Sequence, residues 1–297
     1  MFTAHAAAAM MRLTPRDRAL VEVLQELRYL TAAQVQQICY PSISVRSASC
    51  RLSRLRRCYV LDCLSHRTFQ DRRAFWGLAS LGRAAAASLT SGLPVRPAAL
   101  AVAAIQVDHL IATNQMFCHL CREHRAGRLP SFRWLGSHHA RVDLGPAHLV
   151  PDAVILFAAE DLWWMYCLEL DRGTMSLDAL AEKCERYRLM RRIAALRRDD
   201  PVWDARAESW VLFVCEDDRR AAEVARLAAG RGLDRVWAGA AAACAAGLAA
   251  AVGPEAAPHA PLPPGLYGGI TPPDGAGMSP EAGAPQAESD RFRIRPS

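Results

Sequence analysis

Three short apolar runs constrain this chain more than any other feature: residues 150–157, 163–171 and 210–215. All three read as strands, and the wholly apolar 210–215 as one buried in the core of a sheet. The first two are separated only by a turn at 158–161, and Pro151 is tolerated because it stands at the start of its strand. Between the second and third runs, residues 174–198 carry a helical pattern with Leu177, Leu180, Cys184 and Tyr187 on the buried stripe and Lys183 at its border. Upstream, 101–125 is helical, with Ile105, Leu110, Met116, Phe117 and Leu120 apolar, and 131–135 is a further strand. Downstream, 217–230 is a helix ending at Gly230, and 234–237 forms an edge strand. The order α-β-β-β-α-β-α, with a last β, predicts a mixed sheet with helices on its faces, an α/β (α+β) domain over 100–240.

Chemistry concentrates in the same stretch. Alternation along 163–171 places Cys167, Glu169 and Asp171 on one side and Leu168 and Leu170 on the other. If Asp152 on the preceding strand lies beside them, two or three carboxylates surround one point, which is unfavourable unless a cation or an arginine neutralises them. Arg172 is the arginine that would do so in a purely structural arrangement. Lys183 is the only lysine, the other 35 basic residues being arginine. GC-rich codon usage explains the arginine excess, and under it the lone lysine is either an accident or a residue retained near acids for a role that needs a compact charge with a movable pKa. Asp152, Glu169 and Lys183 are therefore the candidate catalytic residues, and Asp152, Glu169 and Asp171 the candidate ligands for a divalent cation.

The net charge of +6 is unevenly placed. Residues 1–100 hold 14 arginines against 5 acids, whereas 101–297 are slightly acidic. In the basic part, Thr14-Pro15 caps and opens a helix whose apolar face is Leu20, Val23, Leu24 and Leu27. A second helix starts at Thr31 and stops before Pro41. A third, 44–59, has Val45, Ala48, Leu52, Leu55 and Tyr59 on one side and Arg46, Ser47, Cys50, Ser53, Arg54 and Arg57 on the other, flanked by Arg51 and Arg56. Residues 60–64 and 74–78 then form a hairpin around a turn holding Arg67, Arg72 and Arg73. Three helices and a hairpin read as a winged helix-turn-helix over 12–90. It presents Arg46, Ser47, Arg51, Ser53, Arg54 and Arg57 to the major groove of double-stranded DNA, and Arg72 and Arg73 to phosphates. The same arginines would also serve a merely solvated helix, or a module that docks protein. Residues 90–97 read as the linker.

Ten cysteines spread without a compact framework predict a reducing, cytoplasmic setting. The start of the chain lacks the basic and long apolar regions of a signal peptide, and the Ala/Gly-rich stretch near 238–252 is too weakly hydrophobic to span a bilayer. The tail, 253–297, is rich in Pro, Gly, Ala and Glu and is expected to be disordered. A competing site is Cys118-x2-Cys121-x2-His124, which His138 and His139 could complete as tetrahedral zinc, although helical cysteines at this spacing more often pack as apolar residues.

Pro151-Asp152, the run Glu169-Leu170-Asp171-Arg172-Gly173-Thr174, Glu182-Lys183 with Arg186-Tyr187, and the start Leu13-Thr14-Pro15-Arg16-Asp17 together resemble the replication-relaxation family of plasmid and mobile-element proteins, over roughly 12–240. The resemblance implies a role in plasmid replication and DNA relaxation, with replication or mobilisation proteins as further partners. It also implies a restriction-endonuclease-like PD-(D/E)xK fold for the second half. On that pattern Asp152 and Glu169 hold Mg2+ or Mn2+, and Lys183 is a water-activating lysine displaced to the following helix. Asp171 stands where the pattern has lysine. Glu123 or Asp108 would be an additional acid on the first long helix. The chain is thus expected to be a DNA-binding replication or relaxation protein, with nickase chemistry left open because Asp171 replaces the lysine of the nuclease pattern. The alternatives are a non-catalytic accessory factor with a degenerate nuclease fold and a zinc-stabilised regulator.

Overall fold

The computed structural model describes residues 13–68, 71–89, 104–145, 147–159, 162–173, 175–196 and 209–252. Its centre is a five-stranded mixed sheet built from β4 (Arg133–Gly136), β7 (Ala153–Ala159), β8 (Leu162–Asp171), β9 (Trp210–Cys215) and β10 (Val236–Gly239), in the order β10-β9-β8-β7-β4. β4, β7 and β8 run antiparallel to one another in turn, and β9 and β10 continue parallel to β8. The expected alternation holds. Leu168 and Leu170 enter one hydrophobic cluster and Cys167 the other, so each face of β8 feeds a separate layer.

On one face lie α5 (Ala104–Arg125) and α8 (Ala241–Val252), on the other α6 (Leu177–Leu196) and α7 (Asp218–Gly230). α8 extends the fold beyond the expected limit at 240. It buries Cys244, Ala245, Leu248, Ala249 and Val252 against the first face. Alanine covers a sheet only when it can approach closely, and Gly247 makes that approach possible: a Cβ there would fall 1.9 Å from the ring of Trp237. A two-stranded ribbon, β5 (Val142–Asp143) with β6 (His148–Leu149), is too short for any period to announce it.

The basic part comprises α1 (Pro15–Leu27), β1 (Leu30–Thr31), α2 (Ala32–Cys39), α3 (Val45–Arg57), the antiparallel hairpin β2 (Leu61–Thr68) and β3 (Asp71–Leu78), and α4 (Ser80–Leu89). Its helix starts are chemically specified. Thr14 and Asp17, and Thr31 and Gln34, form reciprocal capping boxes, and Ser44 caps α3. β1 adds a third strand to the hairpin by pairing with β3. On α3, Ala48, Leu52 and Leu55 are buried as expected, but Val45 and Tyr59 are exposed. The helix ends at Arg57, and Tyr59 has turned to φ 57°, so it no longer follows the helical period.

The two parts share one core. A single cluster runs from Leu20, Leu24, Val35 and Leu52 to Met116, Phe117, Leu120 and Ile155. Polar ties cross the same seam. Asn114 Nδ2 donates to the carbonyls of Leu27 (2.9 Å) and Tyr29 (2.8 Å), Gln34 Nε2 to that of Ile111 (2.8 Å), and Arg125 Nη2 to that of Ile38 (2.8 Å). The linker read at 90–97 and the tail at 253–297 lie outside the described residues. No helix among the described residues is long and apolar enough to cross a membrane.

Candidate functional site

The antiparallel register of β7 and β8 pairs Ala153 with Leu168, and the next position outward sets Asp152 across from Glu169. Asp152 continues the ladder through its amide, which donates to Leu168 O (3.0 Å), while its Oδ2 accepts from Leu170 N (2.8 Å). Lys183 and Tyr187 stand one helical turn apart on α6 and so project together. Both reach Glu169: Lys183 Nζ donates to Oε2 and the Tyr187 hydroxyl to Oε1. From the opposite layer, His109 on α5 brings Nε2 within 2.9 Å of Asp152 Oδ1. The structure therefore assembles Asp152, Glu169 and Lys183 and adds His109 and Tyr187 to them.

The two carboxylates are driven apart electrostatically. Burial pushes Glu169 up to about 7; the nearby Asp152 charge adds to this, and Lys183 and Tyr187 pull the other way. For Asp152, burial is outweighed by the His109 bond and charge, by Lys183 and by the Leu170 amide, and its pKa lies below the usual carboxylate value. Burial opposes charge on Lys183, yet Glu169 and Asp152 hold its pKa above the ordinary lysine value. One acid is thus held ionised while its neighbour is poised near neutrality.

Asp171 does not join them. It is buried, accepts from Arg220 Nε (2.6 Å) through Oδ2 and from the amide of Gly173 (3.0 Å) through Oδ1. Arg220 also binds Met175 O (2.7 Å) and Glu223 (3.2 Å), clamping the start of α7 to the end of β8. The neutralising arginine is Arg220 rather than Arg172, which lies just past the strand end and is exposed. Glu123 is engaged with Arg128 (2.7 Å), and Asp108 is half-buried; the α5 side chain that reaches the site is His109. An additional acid on that helix is expected only as a fit to a nuclease-like core; the side chain that meets Asp152 from it is an imidazole.

On α3, Arg46, Ser47, Ser53, Arg54, Arg56 and Arg57 are exposed along one face. Arg51 is a correction to the DNA-facing set: it turns inward and makes a two-pronged ion pair with Asp17 of α1, Nε to Oδ1 being 2.8 Å. Asp17 is fully buried and also accepts from Tyr40 and Thr14. Burial raises its pKa, but Arg51, Thr14 and Tyr40 outweigh this and hold it below the usual value. Arg72 and Arg73 lie on β3 opposite Arg67 and His66, next to the hairpin turn.

The competing zinc set of Cys118, Cys121 and His124 with His138 or His139 is not assembled. Cys118 and Cys121 pack in the first-face core, where burial pushes the Cys118 thiol up to about 12 and the Cys121 thiol well above its ordinary value. His124 Nδ1 lies 3.0 Å from Leu129 O. His138 and His139 instead meet Glu26 of α1.

Compared with known proteins, residues 21–201, more than half the chain, match the family model described as Replication-relaxation. Searches of curated proteins and of solved structures gave no match.

Proposed function

The chain belongs to the replication-relaxation family, and from that premise we propose that it binds double-stranded DNA of a plasmid or mobile element and acts on it during replication initiation or relaxation. On this reading residues 12–90 are a winged helix whose α3 face, with Arg46, Ser47, Ser53, Arg54 and Arg57, meets the duplex. Residues 100–240 are a PD-(D/E)xK-like core that nicks DNA. The observation that carries the proposal is the convergence of Asp152, Glu169 and Lys183 from a strand start, a strand and a helix.

The donor set suits a hard divalent cation, since Asp152 and Glu169 offer carboxylate oxygens side by side. Asp152 is the partly open ligand, its side chain being 21% exposed, and Glu169 the deep one. Bound there, Mg2+ or Mn2+ would polarise a phosphodiester and lower the pKa of water. Lys183, shared between the two acids, contributes a compact positive charge beside the reacting phosphate. Tyr187 positions Glu169, and His109 keeps Asp152 ionised and oriented. Asp171 serves as a structural anchor for Arg220.

One feature favours a second reading, a non-catalytic accessory factor. Both acids of the cluster already have internal cationic or hydrogen-bonding partners, and Asp171 occupies the position where the PD-(D/E)xK nuclease pattern places lysine. Supercoiled plasmid incubated with Mg2+ or Mn2+ separates the two. Nicking by the wild type that disappears in Asp152→Asn, Glu169→Gln and Lys183→Met is the expected result. Salt-sensitive DNA binding without nicking, equal in all four proteins, would establish the accessory role instead.

A further inference from the structure

Glu26, His138 and His139 take no part in the proposed reaction at Asp152, Glu169 and Lys183. Glu26 belongs to the last turn of α1, and the two histidines to the turn that follows β4. Their donor atoms fall within 4.8 Å of one another, the only such group of three among the described residues. Glu26 Oε2 is 2.9 Å from His139 Nδ1 and 3.8 Å from His138 Nε2, and the two imidazole rings lie at a centroid separation of 4.1 Å. Two donors each about 2.0–2.1 Å from zinc at a tetrahedral angle are roughly 3.3 Å apart, so these separations bracket what one ion requires.

The surroundings are built to hold this arrangement. Glu26 is almost completely buried, and its Oε1 accepts from the amide of Gly136, which fixes the carboxylate toward the histidines. Gly136 packs closely against this group: a Cβ there would come within 3.0–3.1 Å of the His138 ring and 3.2 Å of Glu26 O. Both histidine side chains remain about a quarter exposed, leaving a path for an ion and an outward position for water. Two imidazoles and one carboxylate form a borderline set that favours a late first-row divalent ion over Mg2+, with three protein ligands and an open fourth position.

We propose that Glu26, His138 and His139 form a binding site for Zn2+ or a similar transition ion, which clasps α1 of the basic part to the β4 turn of the sheet. The site is independent of the nuclease-like reading, which calls for a hard cation at Asp152 and Glu169.

The test uses the full chain, stripped with chelator, then titrated with Co2+ as a spectroscopic probe and with Zn2+ by calorimetry. His138→Gln and His139→Gln, being partly exposed, are the main variants. Glu26→Gln is the buried one, and Cys118→Ser tests the cysteine alternative. The expected result is one equivalent bound per wild-type chain, unchanged in Cys118→Ser and weakened at least about 100-fold in either histidine variant. Zn2+ should also raise the wild-type melting temperature and leave the histidine variants unmoved. Circular dichroism of each apo variant confirms folding, so a failure of Glu26→Gln to fold leaves the histidine results decisive. A folded wild-type chain that takes up no stoichiometric ion would overturn the proposal, as would binding that survives in both histidine variants.

Discussion

At the scale of single residues, burial decides what each charged group does. Glu169 is enclosed by β8 and α6, and its raised pKa has a definite thermodynamic sign. A carboxyl that is harder to ionise folded than unfolded contributes most at low pH, and that contribution falls away between its ordinary value near 4.5 and about 7. Glu169→Gln lacks this titration. The wild type should therefore lose stability relative to the variant as the solution is taken from mildly acidic to mildly alkaline, by a few degrees in melting temperature. A difference that stays constant over this range would show that Glu169 keeps its ordinary pKa. Asp17 has the opposite sign, since its depressed pKa adds stability above about pH 4 that is lost on acidification.

Among elements, α3 performs two tasks with one kind of residue. Arg54 and Arg57 face solvent, whereas Arg51, on the same helix, closes an ion pair with buried Asp17. Arg51→Ala leaves that carboxylate without its cation and should cost about 3–5 kcal/mol in denaturant unfolding. Arg54→Ala and Arg57→Ala should stay within about 0.5 kcal/mol of wild type. Each should nevertheless weaken DNA binding and flatten the dependence of log K on log salt by about 0.9 for every phosphate left without its arginine. Equal DNA affinity for wild type and the Arg54/Arg57 double variant would remove α3 from the interface. The helix period alone could not sort these arginines, because the Arg51 partner lies on α1, 34 residues earlier.

For the whole molecule, the seam between basic part and sheet is a core rather than a loose contact. Asn114 donates to two carbonyls at the end of α1 and beyond it, and the apolar cluster is continuous on both sides. Unfolding should then be a single transition, with near-ultraviolet signals of the sheet aromatics and far-ultraviolet helical signal lost together. Asn114→Ala leaves both carbonyls without that donor and should lower stability by about 1–3 kcal/mol while keeping the two signals coincident. Two separated transitions in the wild type would contradict a shared core.

The chain's own periodicities determined the elements. Apolar runs specified β7, β8 and β9, capping residues marked the starts of α1 and α2, and the Glu-Leu-Asp-Arg-Gly-Thr run pointed to the family whose model spans residues 21–201. These signals are local, and neighbouring residues suffice to read them. Tertiary structure alone decided the partners. It set Asp152 against Glu169 through strand register, gave Asp171 to Arg220, withdrew Arg51 to Asp17, brought His109 to Asp152 and moved His138 and His139 from the cysteines to Glu26. It also made a core helix of the alanine-rich α8, whose sequence lacks a strong apolar stripe. A carboxylate's role depends on which cation lies within a few ångströms and how much water remains, and both are set by chain segments distant in sequence.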